Sequence, residues 1–143
     1  MSRTRFEPWE SRLLEEQPIA RLATIAPSGR PRLVPVCFAF LEDALAIAVD
    51  EKPKSSVRLA RLADLARDPR ATLLVDRYDA DWSRLAWVRV DARAEVLAAG
   101  AAWPAALAAL RDRYDQYRTM DLESRPLIRL RPERIVSWRA VAP

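Results

Sequence analysis

Apolar residues recur along the chain at two different periods, and the switches between them mark out the elements. Over residues 6–18, Phe6, Leu13 and Leu14 fall to one side of a short amphipathic helix that Pro18 closes. From residue 20 the period becomes two. Leu22, Thr24 and Ala26 share one side of a strand, with Ala23 and Ile25 on the other. Pro27-Ser28-Gly29-Arg30 is a turn in which glycine can take a positive φ, and Val34, Val36, Phe38 and Phe40 resume at strand spacing. This is a hairpin. Pro35 has no amide to donate, so its position in the second strand reads as an edge or a bulge.

Residues 45–50 (LAIAVD) give a third strand. Residues 57–68 (VRLARLADLARD) give a helix with Val57, Leu62, Leu65 and Ala66 near one face; Ser55 or Ser56 can cap it and Pro69 stops it. A fourth strand over 71–78 leads through the turn DADWS into residues 84–98, long enough for a bent or bulged strand. Residues 101–118 read as a second substantial helix entered near Pro104, and the tail from Pro126 to Val141 as one or two strands. Three strands before the first crossover helix rule against a doubly wound parallel sheet. The expected class is mainly β with peripheral α: an antiparallel or mixed barrel with helices packed outside. No repeat, low-complexity tract or linker divides residues 1–143, so one domain is expected.

Composition narrows the chemistry. Half of the 143 residues are hydrophobic and 31% are charged, which suits a packed core rather than disorder. There is no histidine, so histidine-dependent triads, dyads and imidazole zinc sites are excluded. Cys37 is the sole cysteine; it forms no internal disulfide and, with no histidine to activate it, reads as an inert thiol. The DRYDAD run lacks the ligand density and glycine of a calcium loop, so no metal is expected. The net charge of +4 suits a partner bearing phosphates or carboxylates, but arginines interleaved with 20 acidic residues form no nucleic-acid tract. No run reaches the ~18 apolar residues of a membrane span and the first residues are not a signal peptide, so a cytoplasmic protein is expected.

One corner concentrates the chemistry. Of 24 basic residues 22 are arginine, and the two lysines, Lys52 and Lys54, flank Pro53 where a strand hands over to a helix. A helix amino end exposes unpaired amides that suit a phosphate. Lys52 and Lys54 bring ammonium groups, Ser55 a hydroxyl, and Arg58 and Arg61, three apart, share a helix side from which guanidinium forks can grip phosphate oxygens. The competing reading is an ordinary solvated helix start. A second cluster runs from Asp76 to Ser83. There Tyr78 and Trp82 could wall a ring-shaped ligand, while Trp82 and Trp87 could equally anchor a core or an interface.

The ordered pieces A-T-x-x-x-x-G-x-P, V-P-V-x-F, D-x-K-P-K and L-L-V-D-x-Y-x-x-D-W-S, spread over roughly residues 15 to 140, resemble the pyridoxamine 5'-phosphate oxidase-like superfamily. More narrowly they resemble its PPOX-class F420-dependent proteins. The resemblance implies an FMN-binding-like split β-barrel that dimerises, with a flavin-like cofactor at the subunit interface. On this chain Leu33, Val34, Pro35, Val36, Cys37 and Phe38 would line the ring system, and Lys52, Lys54, Ser55 and Arg58 would receive the phosphate end. The strand Leu73 to Asp76, with Val75 and Asp76, would add wall, and Trp82 and Trp87 aromatic neighbours. The implied chemistry is hydride transfer by coenzyme F420, or by FMN, to or from a small organic substrate, with Tyr78 as the candidate proton donor. A flavin or deazaflavin carrier without turnover, or a barrel without ligand, are the other readings. The implied partners are a second copy of the chain and a small molecule, not nucleic acid or membrane.

Overall fold

The computed structural model describes residues 2–49 and 56–141, with residues 56–59 as backbone only. Ala20–Ile25 (β1) pairs with Pro31–Val36 (β2), and Ala39–Leu41 (β3) pairs with Ala44–Ala48 (β4). Arg70–Arg77 (β5), Ala86–Leu97 (β6) and Leu127–Arg139 (β7) complete one antiparallel sheet in the order β2-β1-β5-β6-β7-β4-β3. Strands β2 and β3 therefore stand at opposite edges, yet only Cys37 and Phe38 separate them. Three Cα–Cα steps span at most about 11 Å. Six strand spacings across a flat sheet would need about 29 Å. The sheet must curl until its edges meet. No ladder joins β2 to β3 among the described residues, so the result is a barrel split along one seam.

Alternation along the strands sorts residues to the two faces. Leu22, Leu73, Val75, Val88, Val90 and Ile135 point inward and are buried. In β4 the sequence ALAIA is buried on both sides. Leu45 and Ile47 enter the barrel, while Ala46 and Ala48 leave room on the outside for helix Pro104–Arg113 (α3) with Leu107 and Leu110. Helix Pro8–Glu16 (α1) contributes Leu13 and Leu14 to the barrel core, and Ser56–Arg67 (α2) contributes Leu65. No described helix is long and apolar enough to cross a membrane.

Several elements differ from the sequence expectation. The strand expected from Val34 to Phe40 breaks at Cys37–Phe38, where the chain crosses the seam. Pro35 does lie on an edge strand. The helix expected over 101–118 is a 310 turn, then α3, then a 310 turn over Asp115–Arg118. The cause is Tyr114, which leaves helical geometry to place its ring by the seam. Its hydroxyl accepts from the Phe38 amide at 3.0 Å and donates to the Pro18 carbonyl at 2.6 Å. Beside it the Arg113 guanidinium stacks on Phe38, 4.4 Å from the ring centroid. Arg113 also donates to the carbonyls of Leu14 and Gln17 at the end of α1, a helix whose last turn has no basic residue of its own. The tail is a single strand, and the register slips between β6 and β7 next to Asp91 and Ala92, with Glu133 as the extra residue.

Helix α2 departs most from its expected face. Ala66 is exposed, whereas Arg61 and Asp64 are buried at 2% and 1% exposure. Asp64 accepts from Thr24 on β1 (2.9 Å) and Arg32 on β2 (2.6 Å), and Arg67 donates to the Ile25 carbonyl. A carboxylate thus pins α2 to the first hairpin. The Arg32 hydrogen bond holds the Asp64 carboxyl below its ordinary range. For Glu10, burial pushes the carboxyl up, but bonds from Arg3, the Glu7 amide and Ser137 outweigh it and leave it lowered.

Two outcomes follow for stability. A carboxylate lowered in the fold binds fewer protons folded than unfolded, so its stabilisation is present above the unfolded value near pH 4 and is lost as pH falls through the folded one. The urea midpoint should therefore drop below about pH 4, with a shallower drop in Asp64→Asn; identical acid profiles would remove Asp64 from the account. At neutral pH, Tyr114→Phe should cost about 1–2 kcal/mol, because the buried Phe38 amide loses its acceptor.

Candidate functional site

The helices leave one part of the barrel's outer surface bare. The outward residues of β2, β1, β5, β6 and β7 form rows across the strands. Pro35, Arg21, Leu74, Arg89 and Val136 make one row, and Leu33, Ala23, Thr72, Asp91 and Arg134 the next. Toward one end, Asp76, Trp87 and Trp138 stand side by side. Within this face lies a groove of about 410 Å³ lined by Arg21, Ala23, Leu33, Thr72, Leu74, Asp76 and Arg89.

The groove has an apolar floor between charged ends. Ala23, Leu33 and Leu74 supply flat hydrocarbon, and Leu33 stands 67% exposed. Arg21 pairs with Asp76 at 2.9 Å. Thr72 donates to Asp91 at 3.1 Å. Arg89 differs from these. Its Nε is buried without a hydrogen-bond partner, and the nearest carboxylate oxygen, on Asp91, is 3.6 Å away. An unmet buried donor is costly, so it points to an acceptor that arrives from outside the chain. The volume lies within the range of small-molecule sites. A planar ring that is apolar on its faces and carries carbonyls at an edge fits this donor set, with its faces on Leu33 and Leu74 and an edge acceptor at Arg89.

The sequence-derived candidates scatter over this geometry. Leu33 and Pro35 face outward and Leu33 lines the groove, whereas Val34, Val36 and Phe38 turn into the barrel core. Cys37 packs with the cluster under α3. Val75 is a core residue, and Asp76, its neighbour, is in the groove. Trp87 is half-buried beside Trp138; Trp82 sits in a 310 turn at 69% exposure, and Tyr78 is exposed just past β5. Arg61 is buried on α2. Lys52, Lys54 and Ser55 lie outside the described residues, as does the side chain of Arg58. Of the wall strand Leu73 to Asp76, Leu74 and Asp76 do line the groove, whereas sequence reasoning missed Arg21, Ala23, Thr72 and Arg89. Their outward parity was readable strand by strand, but the register that gathers them was not.

The groove arginine generates a test of its own. Because its Nε makes no hydrogen bond among the described residues and its ion pair with Asp91 is long and partly exposed, Arg89→Leu should change urea stability by less than about 1 kcal/mol. A loss of several kcal/mol would make Arg89 a structural residue.

Comparison with known proteins agrees with this architecture. The family model described as pyridoxamine 5'-phosphate oxidase matches residues 10–139. A conserved hypothetical protein from Mycobacterium tuberculosis superposes with a TM-score of 0.76 at 22% identity, covering 98% of this chain and 90% of that one. An F420 reductase superposes at 0.68 with 24% identity, covering 92% and 98%. HutZ, the heme storage protein from Vibrio cholerae, superposes at 0.68 with 17% identity, covering 94% of each. At such identities the likeness establishes the fold alone. No curated protein matches the chain in sequence.

Proposed function

The chain belongs to the pyridoxamine 5'-phosphate oxidase family, and from that premise we propose that it is an oxidoreductase using coenzyme F420 on a small organic substrate. The observation that carries the reading is the bare outer groove, where Arg89, its Nε without a hydrogen bond among the described residues, lines an apolar floor. Leu33, Ala23 and Leu74 would hold the flat ring system and exclude water from its faces. Arg89 would donate to an edge carbonyl, and Arg21 and Asp76 would fix the ring's position along the groove. Lys52, Lys54, Ser55 and Arg58 would receive the phosphate end, while Arg61, buried on α2, is not available to it. Bound F420 supplies two-electron hydride chemistry at its central ring. The protein then has to position groups and hold one proton, for which Tyr78 is the candidate.

A homodimer is part of the same reading. Leu33, Trp82 and Trp138, the last 47% exposed, place large apolar surface on and around the open face, and a second copy would cover it. Trp82 and Trp87 would then wall a cofactor held between the copies. A cytoplasmic location belongs to the reading too.

A second reading, FMN in place of F420, is favoured by the family itself, whose name-giving oxidase is a flavin enzyme. A carrier without turnover would use the same groove. Heme storage, the role that HutZ is named for, fits this chain less well, because it has no histidine to offer the iron.

Titration with F420 and with FMN, followed by ligand fluorescence at two salt concentrations, decides between them. The expected result is micromolar F420 binding, weaker FMN binding, at least a tenfold loss in Arg89→Leu, and a weakened, less salt-dependent response in the Lys52→Ala/Lys54→Ala variant. Tighter FMN binding would select the second reading, and no binding of either would overturn both. Light scattering should give about twice the 16.3 kDa chain mass.

A further inference from the structure

The barrel has a second concave site, on its other face. Arg77 at the end of β5, Ala86 at the start of β6 and Arg139 at the end of β7 lie side by side in register with inward parity. Helix α1 crosses this barrel mouth and presents Trp9, Arg12, Leu13 and Glu16, spaced three or four apart and so on one side. Together they enclose a pocket of about 160 Å³. That is the share of about five water molecules in the liquid, room for the five heavy atoms of a phosphate.

Its charge is one-sided. Three guanidiniums line the pocket against one carboxylate, a balance of +2. Two of the arginines are held in place. Arg77 donates to the Arg84 carbonyl at 2.8 Å and pairs with Glu16 at 3.2 Å. Arg139 stacks on Trp9, 4.8 Å from the ring centroid. Trp9 is itself tethered, its indole donating to Glu7 at 2.9 Å. Arg12 is exposed, with no described carboxylate paired to it, and Glu16 is taken by Arg77. Three like charges drawn together against one acid repel one another, and a dianion relieves that repulsion while accepting paired guanidinium bonds.

The geometry points to a binding site for a dianionic phosphoryl group at this barrel mouth, made by Arg12, Arg77 and Arg139. It is separate from the groove, which lies on the outward face. It is also set apart from the end of β4, the last described strand before the lysine corner in sequence. The end of β4 pairs with Leu127, twelve residues along β7 from Arg139, or about 40 Å of strand. Its loss and the loss of the proposed cofactor site are therefore separable.

The test follows the Trp9 indole signal by NMR in the full-length protein, titrated with inorganic phosphate and, in parallel, with glycerol 3-phosphate. Sodium chloride at matched ionic strength is the control. A saturable shift with either phosphate compound, weakened at least tenfold by Arg12→Ala and by Arg139→Gln and unchanged in Lys52→Ala/Lys54→Ala, supports the site. Tighter glycerol 3-phosphate assigns it to a phosphate monoester, and tighter inorganic phosphate to the free ion. Arg12 is exposed on α1, so its variant keeps the test valid should Arg139→Gln fail to fold. A non-saturating shift, an equal shift with chloride, an unchanged affinity in Arg12→Ala, or loss of the shift in the lysine variant would overturn it.

Discussion

Two residues, Cys37 and Phe38, carry the chain from one edge of a seven-stranded sheet to the other. A link that short is compatible with the strand order only if the sheet rolls up, and the remaining architecture follows. Rolling makes the inward residues of every strand into one core. It also leaves the seam as the place where backbone groups need partners from elsewhere. Tyr114 meets that need with a single hydroxyl that serves the Phe38 amide on one side and the end of the first helix on the other. Arg113 stacks on Phe38 and caps the same helix. The seam, the first helix and the end of the third are one mechanical unit.

The outward surface is divided by what the helices cover. Alanines at Ala46 and Ala48 invite α3 onto β4, and Leu65 with Asp64 docks α2 at the first hairpin. Nothing comparable draws a helix to Leu33, Ala23 and Leu74. That face keeps an apolar floor and an arginine whose Nε makes no hydrogen bond among the described residues. In a histidine-free protein such a face suits a ligand that brings its own reactivity.

Much of the fold was legible because alternation and turn chemistry are local. The Pro27–Arg30 turn, the edge position of Pro35 and the helix stop before Pro69 each follow from one or two residues. The break at Cys37–Phe38 was not legible, since Val36, Phe38 and Phe40 keep strand spacing straight through it; only the strand order reveals that the chain changes edges. Helix α2 misled for another reason. Its alanines and leucines outline a plausible apolar face, but Asp64 is buried because Thr24 and Arg32 satisfy it, and those partners lie 40 and 32 residues away. The same non-locality hid the groove. Leu33, Leu74 and Asp76 lie in segments singled out from motif resemblance, whereas Arg21, Ala23, Thr72 and Arg89 join them only through strand register.

The proposed cofactor site lies on the outward face of β1, β2 and β5, and strand parity separates that face from the core. Leu33 and Leu74 face outward, while Leu22 and Leu73, which pair with each other across β1 and β5, face the core. Methyl NMR of the full-length protein during addition of F420, repeated with FMN, reads the two faces separately. The account predicts saturable shifts of the Leu33 and Leu74 methyls with those of Leu22 and Leu73 nearly still. Shifts centred on Leu22 and Leu73, or saturating binding that leaves Leu33 and Leu74 unmoved, would contradict it.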